Sequence, residues 1–143
     1  MKRQITQVTL AVAVSLMLAV AVSFAQTSAR ASAKIPFDFH VGNITLPSGL
    51  YLVKSGFPTV DTLLIQSKDA SRSAVAMTQG VKSTQRDGAA KLVFNQYGTN
   101  YFLSQVWNPS DSIVRGLVMT KAEMEVARQV RGAQTTVVAL EKR

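Results

Sequence analysis

Ile35, Phe37, Phe39 and Val41 alternate with Pro36, Asp38, His40 and Gly42. A two-residue apolar period carried by aromatic and branched side chains turns one face of an extended chain inward, which no helix of 3.6-residue period can do. This stretch therefore commits the chain to sheet. Pro36 has no N–H to give a ladder, so the strand is expected to start there or to lie at an edge. Leu46-Pro47-Ser48-Gly49 is a turn signal, with Pro preset for the first central position. Leu50 to Lys54 reads as the next strand, followed by Val60 to Gln66 and Ser73 to Thr78, with a hairpin connection at Lys68-Asp69-Ala70-Ser71. Gly80 to Ala89 is polar, holds Asp87-Gly88 and reads as a mobile loop.

The clearest unit runs from Lys91 to Trp107, where two aromatic-rich runs flank Gly98-Thr99-Asn100. That is a β-hairpin signal, and apolar residues on both of its faces place it centrally. Asn108-Pro109-Ser110-Asp111 breaks the pattern, and Ile113 to Met119 is ambiguous. Thr120-Lys121-Ala122-Glu123 is a capping box: the Thr120 hydroxyl accepts from the Glu123 amide while the Glu123 carboxylate reaches back. Ala122, Val126, Ala127 and Val130 sit at helical spacing, with Gly132 as the stop. Thr135 to Leu140 reads as a closing strand. The expected fold is mainly β: a single antiparallel β-sandwich or small barrel of about seven strands with one helix late in the chain.

Ahead of this domain stands an address. Lys2 and Arg3 precede the apolar run Leu10 to Phe24, and Ser23-Phe24-Ala25 supplies the small-x-small cut site. That order is read by the export machinery, and the run is shorter than the roughly 20 residues a bilayer span needs. Residues 1–25 are thus expected to be a cleaved secretory signal peptide, 26–33 a flexible leader and 34–143 a single β-rich domain, periplasmic or extracellular. Without the first 25 residues the chain keeps 14 basic and 8 acidic residues, a net charge of +6. Its zero cysteines exclude disulfides, thiolate metal sites and thiol nucleophiles. A chain of this size has core enough to be stable without cross-links.

Two blocks carry a resemblance. Ile35-Pro36-Phe37-x-Phe39-x-Val41-Gly42 with Leu46-Pro47-x-Gly49-x-Tyr51-x-Val53 is the first. Leu92-Val93-Phe94-x-x-Tyr97-Gly98-x-x-Tyr101-Phe102-Leu103-Ser104-x-Val106-Trp107 is the second. Together they resemble a group of small exported proteins found mainly in acidobacteria, and the match covers most of the chain after its leader. The stretch Gly116 to Glu123 is similar to a later block of that group, though Met119 departs from its pattern. The resemblance implies an exported β-rich domain and lends no activity, substrate or functional residue.

Catalytic inventory is thin. Asp38 and His40, two apart on a strand, would point the same way, about 7 Å apart at Cβ, within reach of a shared water or metal. A third partner is missing, and both are expected to decorate the solvated face. His40 is the only histidine, and neither G-x-S-x-G nor H-E-x-x-H accompanies it. Asp69, Asp87 and Asp111 fall in turns, Glu123 is explained by the cap and Glu125 by pairing with Lys121 or Arg128. Asp61 is expected to face outward from its strand, and calcium-loop spacing is absent. No enzyme, metal or cofactor is expected on these grounds.

Positive charge is the remaining clue. Lys68 and Arg72 flank one turn, Lys82, Arg86 and Lys91 line the long loop and its exit, and Arg128 and Arg131 end the helix, where its dipole favours them. With Tyr97, Tyr101 and Trp107, the first five of these cations make up the candidate ligand-binding set. A basic surplus draws a protein to anionic sugars, phosphates or lipids in a salt-dependent way. Aromatics beside Lys91 (Phe94, Tyr97, Tyr101) match base stacking in type. Core packing is nevertheless their expected use, and nucleic acid is not an expected partner. The leading expectation is a non-enzymatic binding or structural module at the cell envelope. One alternative is a barrel holding a small apolar ligand among Trp107, Tyr101, Phe39, Ala74 and Ala76. Another is assembly, with the leader and the Ile35–Val41 strand adding to a neighbour's sheet.

Overall fold

The computed structural model describes residues 30–55, 61–82, 88–108 and 113–142. Within them the chain forms β1 (Arg30–Ile35), β2 (Phe39–Val41), β3 (Ile44–Leu46), β4 (Gly49–Ser55), β5 (Thr62–Ser67) and β6 (Ser73–Lys82). It continues as β7 (Lys91–Tyr97), β8 (Asn100–Trp107), β9 (Ile113–Leu117), helix α1 (Lys121–Gln129), β10 (Gln134–Ala139) and β11 (Glu141–Lys142). The fold is mainly β with one helix. The expected signal segment 1–25 lies outside the described residues.

The strands follow the order β10-β7-β8-β9-β6-β5-β4-β1-β11, with β2 attached to β3 and β8. The long strand β6 joins two halves. Ser73 to Met77 pair with β5, and Thr78 to Lys82 pair with β9. The sheet does not close into a barrel, which corrects that half of the expectation. Instead the chain itself links the two edges: β10 pairs with β7, and after Leu140 the chain continues as β11 on β1.

Inward residues of both halves merge into one core. Ala33, Ile35, Tyr51, Val53, Leu63, Ile65 and Ala74 come from the first half, and Leu92, Phe94, Leu103 and Val106 from the second. Phe39 on β2 sits between them, edge-on to Tyr51 at 5.1 Å and to Phe94 at 5.6 Å between ring centroids. Aromatic pairs prefer this edge-to-face arrangement to a flat sandwich because of their quadrupoles. Phe37 adds a second ring against Phe94, so β2 and its lead-in plug the space between the halves.

Several expectations need correction. Eleven strands are present among the described residues, not about seven. The alternation at Ile35–Val41 is interrupted: Pro36 to Asp38 are not strand, so β1 and β2 are separate. The expected leader is in part a strand, since Arg30 to Ile35 pair with Lys54 to Gly49 of β4. Its alternation is muted because two inward positions, Ala31 and Ala33, are alanines ahead of Ile35. β6 runs on to Lys82 through the expected loop, while Arg86 lies outside the described residues. Pairing is antiparallel except where β2 meets β8 in parallel, at His40 and Phe102.

One of the alternatives loses its footing here. A ligand barrel needs a closed sheet, and Phe39 and Ala74 are packed in the core. For strand addition, β1 is paired along its length with β4 and with β11 only at Ala31 and Ser32, and β2 is paired with β3 and, at His40, with β8.

Helix α1 starts as expected, with the Thr120 hydroxyl accepting from the Glu123 amide at 3.2 Å. The carboxylate does not reach back to the cap. Glu123 is buried, 5% exposed, and its Oε1 accepts from Asn95 Nδ2 at 2.9 Å and from the Tyr97 hydroxyl at 3.4 Å. Replacing the cap by Thr120→Ala is expected to cost about 1 kcal/mol in denaturant unfolding.

Candidate functional site

The structure separates the sequence-derived candidates into three places. Asp38 precedes β2 and accepts the Ser48 N–H at 2.8 Å, fixing the turn that leads into β4. His40 hydrogen bonds through Nδ1 with Thr45 Oγ1 at 2.9 Å, and its ring stacks on Phe102 at 4.4 Å. The two side chains serve different partners and do not converge. Each does a packing or turn-fixing job that accounts for its residue type.

The hairpin of β7 and β8 divides its candidates between two ends. Lys91 and Trp107 are register partners at one end, with the Lys91 ammonium 4.6 Å from the indole centroid. The Trp107 N–H donates to Gln105 Oε1 at 3.0 Å. At the other end Tyr97 is buried against Glu123, and Tyr101 is stacked on Phe37 at 3.9 Å. Burial first, and the Glu123 charge second, push the Tyr97 hydroxyl pKa up, which keeps it a donor. These rings pack the fold. Lys82 closes β6 opposite Ile113 of β9, the strand that pairs β8 at Gln105 and Val106.

Lys68 and Arg72 behave differently. Both are exposed, and the β5–β6 turn brings them to the rim of one cleft of about 280 Å³, formed with the β3–β4 turn. Pro47, Ser48, Tyr51, Ser71 and Leu50 complete the lining. Several bonds hold this geometry. The Lys68 N–H donates to Leu50 O at 3.0 Å, tying the hairpin tip to β4, and the Ser67 N–H donates to Arg72 O at 2.8 Å. Tyr51 donates its hydroxyl to Pro47 O at 2.6 Å. Burial raises the Tyr51 pKa; Arg72 opposes the rise, and Asp38 and Asp69 add to it.

Asp69 also lines the cleft, but its carboxylate is occupied. It accepts from the hydroxyls of Ser67 and Ser71 and from the Ser71 N–H, and Ala70 beside it takes a left-handed φ of 58°. Sequence reasoning found the two cations and the turn. It missed Ser48, Ser71 and Tyr51, because only the packing of two turns far apart in the chain brings these residues together. The cleft thus offers two cations and the Ser48 hydroxyl, while the Tyr51 and Ser71 hydroxyls already donate to Pro47 O and to the Asp69 carboxylate. That composition suits an anionic group and carries no nucleophile–base pair.

The Ser67 hydroxyl, then the Ser71 hydroxyl and amide, hold Asp69 at about 2, below the ordinary 3.8. A carboxyl depressed by folding stabilises above its unfolded value and loses that contribution as pH falls through the folded one. The melting-temperature gap between the parent and Asp69→Asn is therefore expected to shrink from about pH 5 to about pH 2. A gap constant over that window contradicts the assignment.

No family model matches the chain, and no curated protein or solved structure is similar to it. Among the described residues no group of three or more His, Asp or Glu is placed to hold a metal ion. No helix among them is long and apolar enough to cross a membrane.

Proposed function

We propose that this chain is an exported, non-enzymatic β-rich module that binds anionic groups at the cell envelope, as a member of the group of small exported proteins it resembles. The observation that carries the reading is the joint exposure of Lys68 and Arg72 on one cleft. A net charge of +6 over residues 26–143 supports it, because a positive field raises encounter with anionic polymers and phosphates. Asp38 and His40, the best catalytic pair by residue type, are absorbed by turn and stacking contacts.

Retention on an immobilised anionic polymer across a salt series tests this. Retention is expected to fall steadily with salt, since exposed charges are screened over about 10 Å at 0.1 M. The Lys68→Glu/Arg72→Glu variant is expected to bind about tenfold more weakly. Salt-independent retention, or no difference between variant and parent, contradicts the reading.

A further inference from the structure

The outer face of the β1–β4–β5–β6 half carries a pattern that packing does not use. Register rows align Lys54, Leu64 and Val75 across three strands, and Thr62 with Met77 beyond them. Lys34 faces Leu50 on the other side of β4. Their inward neighbours Val53, Leu63, Ile65 and Ala74 are buried, so alternation sends this set outward. Leu50 is 48% exposed, Val75 54% and Met77 75%. Leu50 also lines the cleft, which puts Lys68 and Arg72 at one end of the same face. Large apolar side chains grouped on a flat surface mark an interaction site.

We infer that this face docks on an anionic lipid surface, its apolar side chains entering the headgroup boundary while the lysines meet lipid phosphates. The inference rests on the anion-binding reading above and names the partner. Charge complementarity selects it. Lys34 and Lys54 lie among the apolar residues. Three carboxylates flank the face: Asp61 precedes Thr62 and accepts the Thr78 N–H through its backbone oxygen, Glu141 pairs opposite Ser32 on the edge strand, and Asp69 is engaged by Ser67 and Ser71. A second copy docked face to face would set this face's surplus of cations against an equal surplus, which costs free energy. A polysaccharide would leave its hydroxyls against Leu50, Val75 and Met77 without partners. Phosphate over apolar chain is the chemistry that answers both halves of the pattern.

Co-sedimentation of the full chain with phosphatidylglycerol/phosphatidylcholine vesicles, with pure phosphatidylcholine vesicles as control, tests it. Parent and variants share one N-terminus, so their difference reports the face. Val75→Ser/Met77→Ser is expected to lower partition onto the anionic vesicles about tenfold, with retention on immobilised dextran sulfate within about twofold of the parent. Lys34→Gln/Lys54→Gln, which keeps the apolar set, is also expected to weaken vesicle binding about tenfold. Salt-sensitive vesicle binding that ignores Val75→Ser/Met77→Ser overturns the face assignment and leaves the anion-binding reading standing. Equal loss on dextran sulfate, or a dimer that the same variant dissolves, also overturns it. Binding to neither vesicles nor polymer sinks both readings.

Discussion

Phe39→Ala is expected to destabilise the protein by about 3–5 kcal/mol, the largest effect of any single truncation in the core. Phe39 is fully buried, at 0% exposure, on a strand of only three residues. Its ring bridges the halves, edge-on to Tyr51 of β4 and to Phe94 of β7. Truncation therefore removes apolar burial, two ring pairs and the volume that separates the sheet halves. The short ladders of β2 cannot compensate: they pair three residues with β3 and one with β8. Denaturant unfolding of Phe39→Ala and of the exposed control Val75→Ala separates this from a generic loss, the control being expected within about 0.5 kcal/mol of the parent. A cost below about 1 kcal/mol for Phe39→Ala contradicts a core joined through β2.

The second large effect is expected at Glu123. Glu123→Ala strips the acceptor from two donors, Asn95 Nδ2 and the Tyr97 hydroxyl, the latter on a residue only 5% exposed. A buried donor left without a partner costs about 1–3 kcal/mol, so the pair together is expected to cost roughly 2–4 kcal/mol. Glu123→Gln keeps an oxygen at the same place and is expected to retain most of the stability. If Glu123 acts only through its capping amide, alanine and glutamine behave alike and the loss stays near zero, because the backbone N–H survives both changes. Unfolding free energies of the two variants, with Tyr97→Phe as a third, decide between latch and cap.

Glu123 also illustrates what the sequence could not disclose. The four residues Thr120 to Glu123 match a capping pattern, and the amide half of that pattern forms. Nothing local says that the carboxylate turns to Asn95, 28 positions away. The strands around Lys91–Trp107 were legible because their inward residues are large. Those of β1 were not, because Ala31 and Ala33 give no amplitude to a hydrophobic period. Pro36 signalled a boundary correctly in kind, yet it separates two strands where an edge or a start was expected. For the cleft, residue type pointed to Lys68 and Arg72 but equally to Lys91, Tyr97, Tyr101 and Trp107. Only the packing distinguishes the first two, because the other four are spent on a cation–π contact, a buried hydrogen bond and ring stacking.

A core filled by aromatic and branched side chains holds two turns against each other, and those turns set Lys68 and Arg72 on one rim. Exposed cations elsewhere, Arg128 and Arg131, belong to the end of α1 and the residues after it, where the helix dipole already favours them. Amide chemical shifts followed during titration with inorganic phosphate test the claim most directly. Saturable changes at Ser48, Lys68, Ser71 and Arg72 that high salt suppresses are the expected result. Changes no larger there than at Arg128 and Arg131, or none at all, would contradict it.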